Sequence, residues 1–252
     1  MATTATVTSG EHGHDPHLAH HFDSHEQQFD AGKLGIWLFL AQEILFFSGL
    51  FCAYAVYRAN HPEVFAYAHH FLDVKWGFIN TLVLLTSSLT AAWSVRAIQL
   101  GNRQQLLTMV GATILFAFVF LGIKFVEYSH KWEAGFLNIG KGVERGQYFD
   151  PEVGEPLAIQ AGHEAAVPHG IDPAKLERPK NTKIFFGIYF ALTGLHGLHV
   201  IAGIIVYLWI MIRALKGHFS PTYYGPVDFA ALYWHLVDLV WIYLFPLLYL
   251  IH

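Results

Sequence analysis

The sequence predicts an all-α, polytopic membrane protein built as a bundle of five transmembrane helices. Of its 252 residues, 54% are hydrophobic and only 13% are charged, whereas a soluble domain carries roughly 25% charged residues. The apolar residues are gathered into five runs, each long enough to cross the ~30 Å hydrocarbon core as a helix. Since lipid offers the backbone no hydrogen-bond partners, segments of this length must be helical to span it.

The predicted spans follow one another along the chain with one long interruption. They comprise residues 34–58, 76–99, 105–128, 184–212 and 229–251. Before them, residues 1–32 are polar and rich in histidine, which predicts a disordered tail. Between the third and fourth spans, residues 129–182 predict a long external loop. We therefore expect one domain over residues 33–252, with three spans in 33–128 and two in 183–252.

Basic residues in the short connections predict the orientation of the bundle. With a cytoplasmic N-terminus, five basic residues lie inside and two outside, namely Lys33, Arg96, Arg103, Arg213 and Lys216 against Arg58 and Lys75. The positive-inside rule then predicts an external C-terminus. Four residues on the inner side are candidates for contacts with lipid phosphates: Arg96, Arg213, Lys216 and the nearby His218. Ordinary topology explains the same residues equally well.

Composition also excludes several functions. The formal net charge is −4 and the basic residues are scattered, so no nucleic-acid surface is predicted. Cys52 is the single cysteine, which excludes an internal disulfide, a cysteine-based zinc site and a two-cysteine copper site within the chain. The tail histidines could bind a metal, but nothing orders their rings, and a solvated segment with adventitious affinity is the simpler interpretation.

Glu43 is the strongest functional candidate. It lies ten residues beyond Lys33, so its carboxyl is expected about 15 Å into the first span, near the membrane midplane. A carboxylate there costs several kcal/mol unless it is protonated, paired or hydrated. Residue type alone leaves two interpretations equally open: a proton-exchanging or partner-facing carboxyl, or a protonated acid that hydrogen-bonds a neighbouring helix.

Two of the spans carry polar pairs at i, i+3 spacing, which places each pair on one face of its helix. His235 and Asp238 could form a buried polar pair. Lys124 and Glu127 are expected to neutralise each other near the end of the third span, with Lys124 extending towards the headgroups.

His196 and His199, also at i, i+3, could supply two metal ligands. Only His218 and His235 are plausible further ligands, which leaves a metal site poorly supported. Three glycines in the same span, Gly194, Gly197 and Gly203, instead suggest close helix packing around these histidines.

Taken together, the motifs resemble those of subunit III of the haem–copper oxidases. The similarity covers residues 33–128 and 183–251 and is carried by five segments in the family's order, Gly35 to Phe51, Asn80 to Ser88, Glu127-Tyr128, Thr193 to Val200 and Tyr233 to Trp241. Mitochondrial members have seven helices and this chain lacks the first two, which favours the five-helix form of a bacterial plasma membrane.

The resemblance implies a specific role. It identifies Glu43 with the family's carbodiimide-reactive carboxyl, and it implies interior polar support from His196, His199, His235, Asp238 and Glu127. No catalytic residue, metal or redox centre is expected in this chain. Haem and copper would belong to partner subunits I and II, phospholipid would be bound, and the holoenzyme would oxidise cytochrome c, reduce oxygen and pump protons.

Three alternatives remain open from the sequence. The alternative to a cytochrome c oxidase subunit is a subunit III of a quinol oxidase or a nitric-oxide-reductase accessory protein, which the sequence of this subunit separates poorly because the electron donor binds elsewhere in such complexes. A stand-alone intramembrane di-iron enzyme would require more ligands at one depth than the sequence offers. A transporter is disfavoured, since the five spans contain no internal repeat.

Overall fold

The computed structural model of the chain describes residues 18–69, 72–133 and 183–251. They form the helices α1 (His25–Asn60), α2 (Pro62–Ala68), α3 (Val74–Gln99), α4 (Arg103–Glu133), α5 (Lys183–Leu215) and α6 (Gly225–Tyr249). Five of these helices, all except α2, are long and apolar enough to cross a membrane. The predicted fold class is thereby confirmed, and the short helix α2 is an addition that the sequence analysis did not anticipate.

Helix α6 is the centre of the bundle. It contacts α1, α3 and α5, while α4 closes the arrangement by contacting α3 and α5. Trp234 and Trp241 of α6 are fully buried, and their indole N–H groups donate to Ser87 Oγ (3.0 Å) and Thr81 Oγ1 (3.1 Å) on α3. Because a buried indole needs an acceptor, these two bonds set the relative height of α3 and α6.

Helix α1 packs on the outside of this four-helix group and is the least buried of the five spans. Its buried residues are Leu40, Phe47 and Tyr54, which lie seven residues apart, the repeat of a narrow helix–helix seam. The other side of α1 exposes large apolar residues such as Trp37 and Leu45. Glu43 is partly buried and lies in this seam, so the carboxyl that would be unfavourable in lipid faces the other helices.

Helix α1 begins nine residues before the predicted apolar span at 34–58. Ser24 is its N-cap and accepts a hydrogen bond from the backbone N–H of Gln27 (3.2 Å), while the Gln27 side chain accepts from the N–H of Asp23 (2.8 Å). This reciprocal cap extends the helix into polar sequence. Residues 25–32 are therefore helical, which differs from the disordered tail expected over 1–32; residues 1–17 lie outside the described part.

Helix α4 likewise continues beyond the predicted span and ends at Glu133, inside the loop expected over 129–182. Residues 134–182 of that loop lie outside the described part. At the opposite end of α4, Arg103 donates to the C-terminal carbonyl groups of α5, with Nε 3.0 Å from Ala214 O and Nη2 bonded to Leu215 O. These bonds satisfy carbonyls that the helix itself leaves unpaired.

The glycine prediction for α5 is correct at one position and wrong at two. A Cβ atom at Gly203 would lie 2.4 Å from the Trp234 ring, so only glycine permits this approach of α5 to α6. At Gly194 and Gly197 a Cβ atom would meet nothing within 4 Å. Those two glycines therefore do not mark close packing within the described chain.

Candidate functional site

Glu43 and His199 meet at the seam between α1 and α5. Glu43 Oε2 lies 2.9 Å from His199 Nε2. The opposite ring nitrogen, Nδ1, lies 2.9 Å from the backbone carbonyl of Leu195, one helical turn earlier on α5. The imidazole is thus held at both nitrogens, and the two residues join a pair of spans that are 156 positions apart in the sequence.

The bond to Leu195 determines how many protons this pair holds. A carbonyl oxygen only accepts hydrogen bonds, so Nδ1 of His199 must carry a proton. Nε2 and Glu43 Oε2 then share one further proton between them: either a carboxylic acid donates to a neutral ring, or an imidazolium donates to a carboxylate. Both arrangements are neutral overall, which is the condition for burying such groups in lipid at low cost.

The pair is enclosed but not sealed. Side-chain exposure is 12% for Glu43 and 17% for His199. The Phe47 ring centroid lies 5.0 Å from that of His199, and the Tyr233 hydroxyl donates to the His199 backbone carbonyl (3.0 Å). Aromatic packing fixes the ring, and both side chains keep a small exposed area at the surface of the bundle.

Lys124 and Glu127 form the ion pair expected from their spacing, with Nζ 2.6 Å from Oε2. Their side chains are only 9% and 8% exposed. Lys124 therefore lies inside the bundle, and the expectation that it extends towards the headgroups is wrong. Its ammonium group also donates to the Tyr249 hydroxyl (2.7 Å) and lies 4.5 Å from the centre of the Trp241 ring.

Two tyrosines complete this buried cluster. The hydroxyl groups of Tyr189 and Tyr249 donate to Glu127 Oε1 at 2.8 and 2.7 Å. The neighbouring Tyr128 hydroxyl bonds to Thr193 Oγ1. The Glu127 carboxylate thus accepts at both oxygens from groups on α4, α5 and α6, and the cluster ties together the ends of three helices.

His196 lies one turn from His199 on α5 but faces the core. It is fully buried, and neither ring nitrogen has a hydrogen-bond partner among the described residues. Its ring packs against those of Trp241 (5.1 Å) and Phe120 (5.5 Å). The two histidines therefore have separate surroundings and do not converge on a common ligand.

His235 and Asp238 do not bond to each other, contrary to the pairing their spacing suggested. His235 Nδ1 instead lies 2.6 Å from the hydroxyl of Ser88 on α3. Asp238 is 2% exposed, and neither of its carboxyl oxygens has a hydrogen-bond partner of good geometry in the described chain. Ser88 and Tyr207 are its polar neighbours. Asp238 thus lies in the packed core with these two hydroxyl groups as its polar surroundings.

The predicted lipid-phosphate residues gather at one end of the bundle, where α3 and α5 end. Arg96 and Lys216 are exposed, and Arg213 and His218 are partly so. The Arg213 guanidinium lies 4.8 Å from the Trp209 ring centre, and His218 Nδ1 lies 3.4 Å from the Arg213 carbonyl.

Within residues 18–69, 72–133 and 183–251, no three His, Cys, Asp or Glu side chains are grouped closely enough to hold a metal ion.

Sequence reasoning missed three participants: Tyr189, Tyr249 and Ser88. Each bonds a predicted residue from a different helix, at sequence separations of 62, 122 and 147 positions. No spacing rule relates positions so far apart. The available signal was the residue type itself, because a tyrosine hydroxyl buried in a membrane helix needs a polar partner.

Comparison with known proteins agrees with this architecture. The family model for cytochrome c oxidase subunit III matches residues 17–149 and 181–252. The chain is 29% identical to cytochrome c oxidase subunit 3 of a Synechocystis species, over 100% of this chain and 88% of the relative. The subunit 3 of Marchantia polymorpha is 31% identical over 86% of this chain and 67% of the relative.

A further relative is also matched over most of both chains. The cytochrome c oxidase subunit 3 of Corynebacterium diphtheriae is 29% identical, over 87% of both chains. The matched residues include the Glu43–His199 pair, the buried Lys124 cluster and all five spans. The chain therefore belongs to the cytochrome c oxidase subunit III family, and it is a multi-pass membrane component of a respiratory oxidase complex.

Proposed function

We propose that the chain is subunit III of a proton-pumping cytochrome c oxidase in a bacterial plasma membrane. In this proposal it carries no redox centre, packs against subunit I and stabilises it in a complex that also contains subunit II, binds phospholipid, and supports proton uptake and oxygen delivery to a site in its partner. Haem and copper reside in those partners, and cytochrome c is the substrate of the holoenzyme. The chain sustains turnover without performing the redox chemistry.

The observation that carries the proposal is the one-proton pair of Glu43 and His199. Because Nδ1 is committed to the Leu195 carbonyl (2.9 Å), a single proton occupies the 2.9 Å gap between Oε2 and Nε2. Such a pair can move its shared proton between Oε2 and Nε2 without creating a net buried charge, and a proton that it gives up to another group must be replaced to restore neutrality. The surrounding aromatic residues and partial exposure suit a proton-exchanging group at the membrane-facing side of the subunit.

Replacing Glu43 with glutamine tests this role. A glutamine amide can still donate to a neutral Nε2, so Glu43→Gln should preserve the α1–α5 contact and assembly while removing the exchangeable proton. We expect the purified holoenzyme to lose activity several-fold faster during sustained turnover, or to take up protons more slowly. Oxygen consumption over time and proton uptake with a pH-indicator dye measure the two effects.

The control and the double variant make the test specific. Asp228→Asn removes a partly buried carboxyl near the start of α6, away from the pair, and should behave as the wild type. His199→Gln should reproduce the Glu43→Gln defect, and the double variant should be no worse than either single one, as for residues that act as a unit. If Glu43→Gln is normal in both measurements, Glu43 has only a packing role.

The electron donor and the partners require the intact complex. A mild-detergent purification of the tagged chain should bring down haem-containing subunits and oxygen uptake supported by reduced cytochrome c. Uptake supported only by quinol would move the chain to the quinol-oxidase branch. A chain that purifies alone and colourless from respiring cells contradicts the proposal.

A further inference from the structure

Two polar side chains in the core of the bundle need hydrogen bonds that the surrounding side chains do not supply. Asp238 of α6 is 2% exposed, and Tyr207 of α5 is 1% exposed. Within the described residues, neither the carboxyl oxygens of Asp238 nor the Tyr207 hydroxyl has a hydrogen-bond partner. Burying such groups without hydrogen bonds is unfavourable, so a further bonding group is expected beside them.

The two groups approach the same part of the interface between α5 and α6. These helices are joined by the short connection 216–224 and run antiparallel, and the Tyr207 ring packs edge-on against that of Trp234, with centroids 5.6 Å apart. Because helical side chains incline towards the N-terminus of their own helix, the Tyr207 hydroxyl is directed past Trp234 towards the next turn of α6. Asp238 lies on that turn, and its carboxyl interacts electrostatically with the hydroxyl.

A third helix contributes a hydroxyl group to the same place. Ser88 Oγ on α3 lies 2.6 Å from His235 Nδ1. It also lies beside the Asp238 carboxyl, without the alignment of a hydrogen bond between them. A hydroxyl group has one donor and two acceptor sites, so Ser88 retains bonding capacity beyond its bond to His235. Helices α3, α5 and α6 therefore each present one oxygen-bearing side chain to a shared position.

The chemistry of this position selects its ligand. Asp238 and Tyr207 lie inside the bundle, so neither a lipid nor a side chain of a partner subunit reaches them. A calcium-type cation needs six or more oxygen ligands, whereas this position offers one carboxyl and two hydroxyl groups. A water molecule both donates and accepts, and buried waters typically make about three hydrogen bonds to polar groups that are otherwise unpaired.

We propose that an ordered water molecule is bound between α3, α5 and α6, where it bridges the Asp238 carboxyl to the hydroxyl groups of Tyr207 and Ser88. The site adds a polar link between the central helix and two of its neighbours. It is structural and does not depend on the proposed proton exchange at Glu43. Asp238 and Tyr207 are thereby coupled through the water and not by a direct bond.

A structure of the purified oxidase complex, at a resolution that shows ordered water, tests the site directly. We expect a density peak about 2.5–3.0 Å from both an Asp238 carboxyl oxygen and the Tyr207 hydroxyl oxygen. The peak should be lost or weakened in Tyr207→Phe. It should persist in Tyr243→Phe, the control, because Tyr243 is 65% exposed on the outside of α6.

Three results of this structure would overturn the proposal. The first is a direct hydrogen bond between Asp238 and Tyr207 with no peak between them. The second is an empty position in a map that shows ordered waters elsewhere in the subunit. The third is a peak surrounded by six or more oxygen ligands, which would identify a cation.

A double-mutant cycle tests the coupling independently, with the half-life of the purified complex during heating as the measurement. Tyr207→Phe and Asp238→Leu should each shorten the half-life, and the double variant should live longer than the product of the two single effects by a factor of at least about two. Asp238→Asn should stay near the wild type, because its amide can still bond to water. In combination with Asp238→Leu, the control Tyr243→Phe should show no coupling. Effects of Tyr207→Phe and Asp238→Leu that simply multiply would contradict a shared water.

Discussion

The buried cluster around Lys124 and Glu127 offers a quantitative test of the structure. The ion pair is 2.6 Å long, with side chains 9% and 8% exposed, and the carboxylate also accepts from Tyr189 and Tyr249. Removing one partner of a buried ion pair typically costs 3–5 kcal/mol, because the other charge is left uncompensated, whereas replacing both can be almost neutral. A double-mutant cycle over these two residues should therefore be strongly non-additive.

The two single changes differ in their expected size. Lys124→Met leaves Glu127 charged and without the ammonium group 2.6 Å away, so we expect a loss near 4 kcal/mol, within the range of about 3–5 kcal/mol. Glu127→Gln leaves the ammonium with the Tyr249 hydroxyl and the Trp241 ring. A desolvated cation–π contact is worth about 2 kcal/mol, so this variant should be the less damaging of the two.

The assay is heat inactivation of the purified oxidase, followed by oxygen uptake and by retention of this subunit in the complex. We expect each single variant to shorten the half-life at least about tenfold, equivalent to 1.4 kcal/mol or more at the barrier. The double variant Lys124→Met/Glu127→Gln should recover most of that loss, with Lys75→Met as the exposed control. Losses that simply add would refute the argument, since they would mean that the two side chains do not act as a pair.

Two further predictions concern packing in the core. Gly203→Ala should destabilise the complex by about 1–3 kcal/mol, because the new Cβ would lie 2.4 Å from the Trp234 ring. Gly197→Ala is the control: a Cβ atom there would meet nothing within 4 Å, so this variant should be neutral in the same heat-inactivation assay. Asp238→Asn should change thermal stability by less than about 1 kcal/mol, since an uncompensated charge at this buried position is already unfavourable and the amide keeps the shape. A large loss in Asp238→Asn would mean that the carboxyl has a partner absent from the described chain.

The sequence was sufficient to predict the fold class because apolar run length and backbone hydrogen bonding are local properties. It also predicted that Glu43 would require protonation, pairing or hydration, and in the structure Glu43 lies 2.9 Å from His199. The compensating group was not predictable, because His199 is 156 residues away and its spacing from His196 suggested a shared role for the two histidines. Which face of α5 meets α1 depends on packing, for instance on the close approach of Gly203 to Trp234.

Two pairs with identical i, i+3 spacing show why spacing alone decides little. Lys124 and Glu127 bond at 2.6 Å, since both side chains are long and flexible enough to meet inside the bundle. His235 and Asp238 do not bond, because the short imidazole instead reaches the Ser88 hydroxyl at 2.6 Å on the neighbouring helix. Equal spacing placed each pair on one face of its helix. The lengths of the side chains and the polar groups on neighbouring helices determined whether the two residues bonded to each other.

The position of each polar group within the bundle separates stabilising from exchanging roles. The Lys124–Glu127 pair is closed off by tyrosines and a tryptophan ring, so a proton lost from it or gained by it would leave one uncompensated buried charge. His196 and Asp238 are enclosed by the core. Of the two bonded acid–base pairs within the described spans, Glu43–His199 is the more accessible: its side chains are 12% and 17% exposed at the loosely packed helix α1, against 9% and 8% for Lys124 and Glu127. Under the proposed function, proton exchange takes place at this pair and not in the packed core, so proton uptake by the Glu43→Gln holoenzyme is the measurement that tests the assignment.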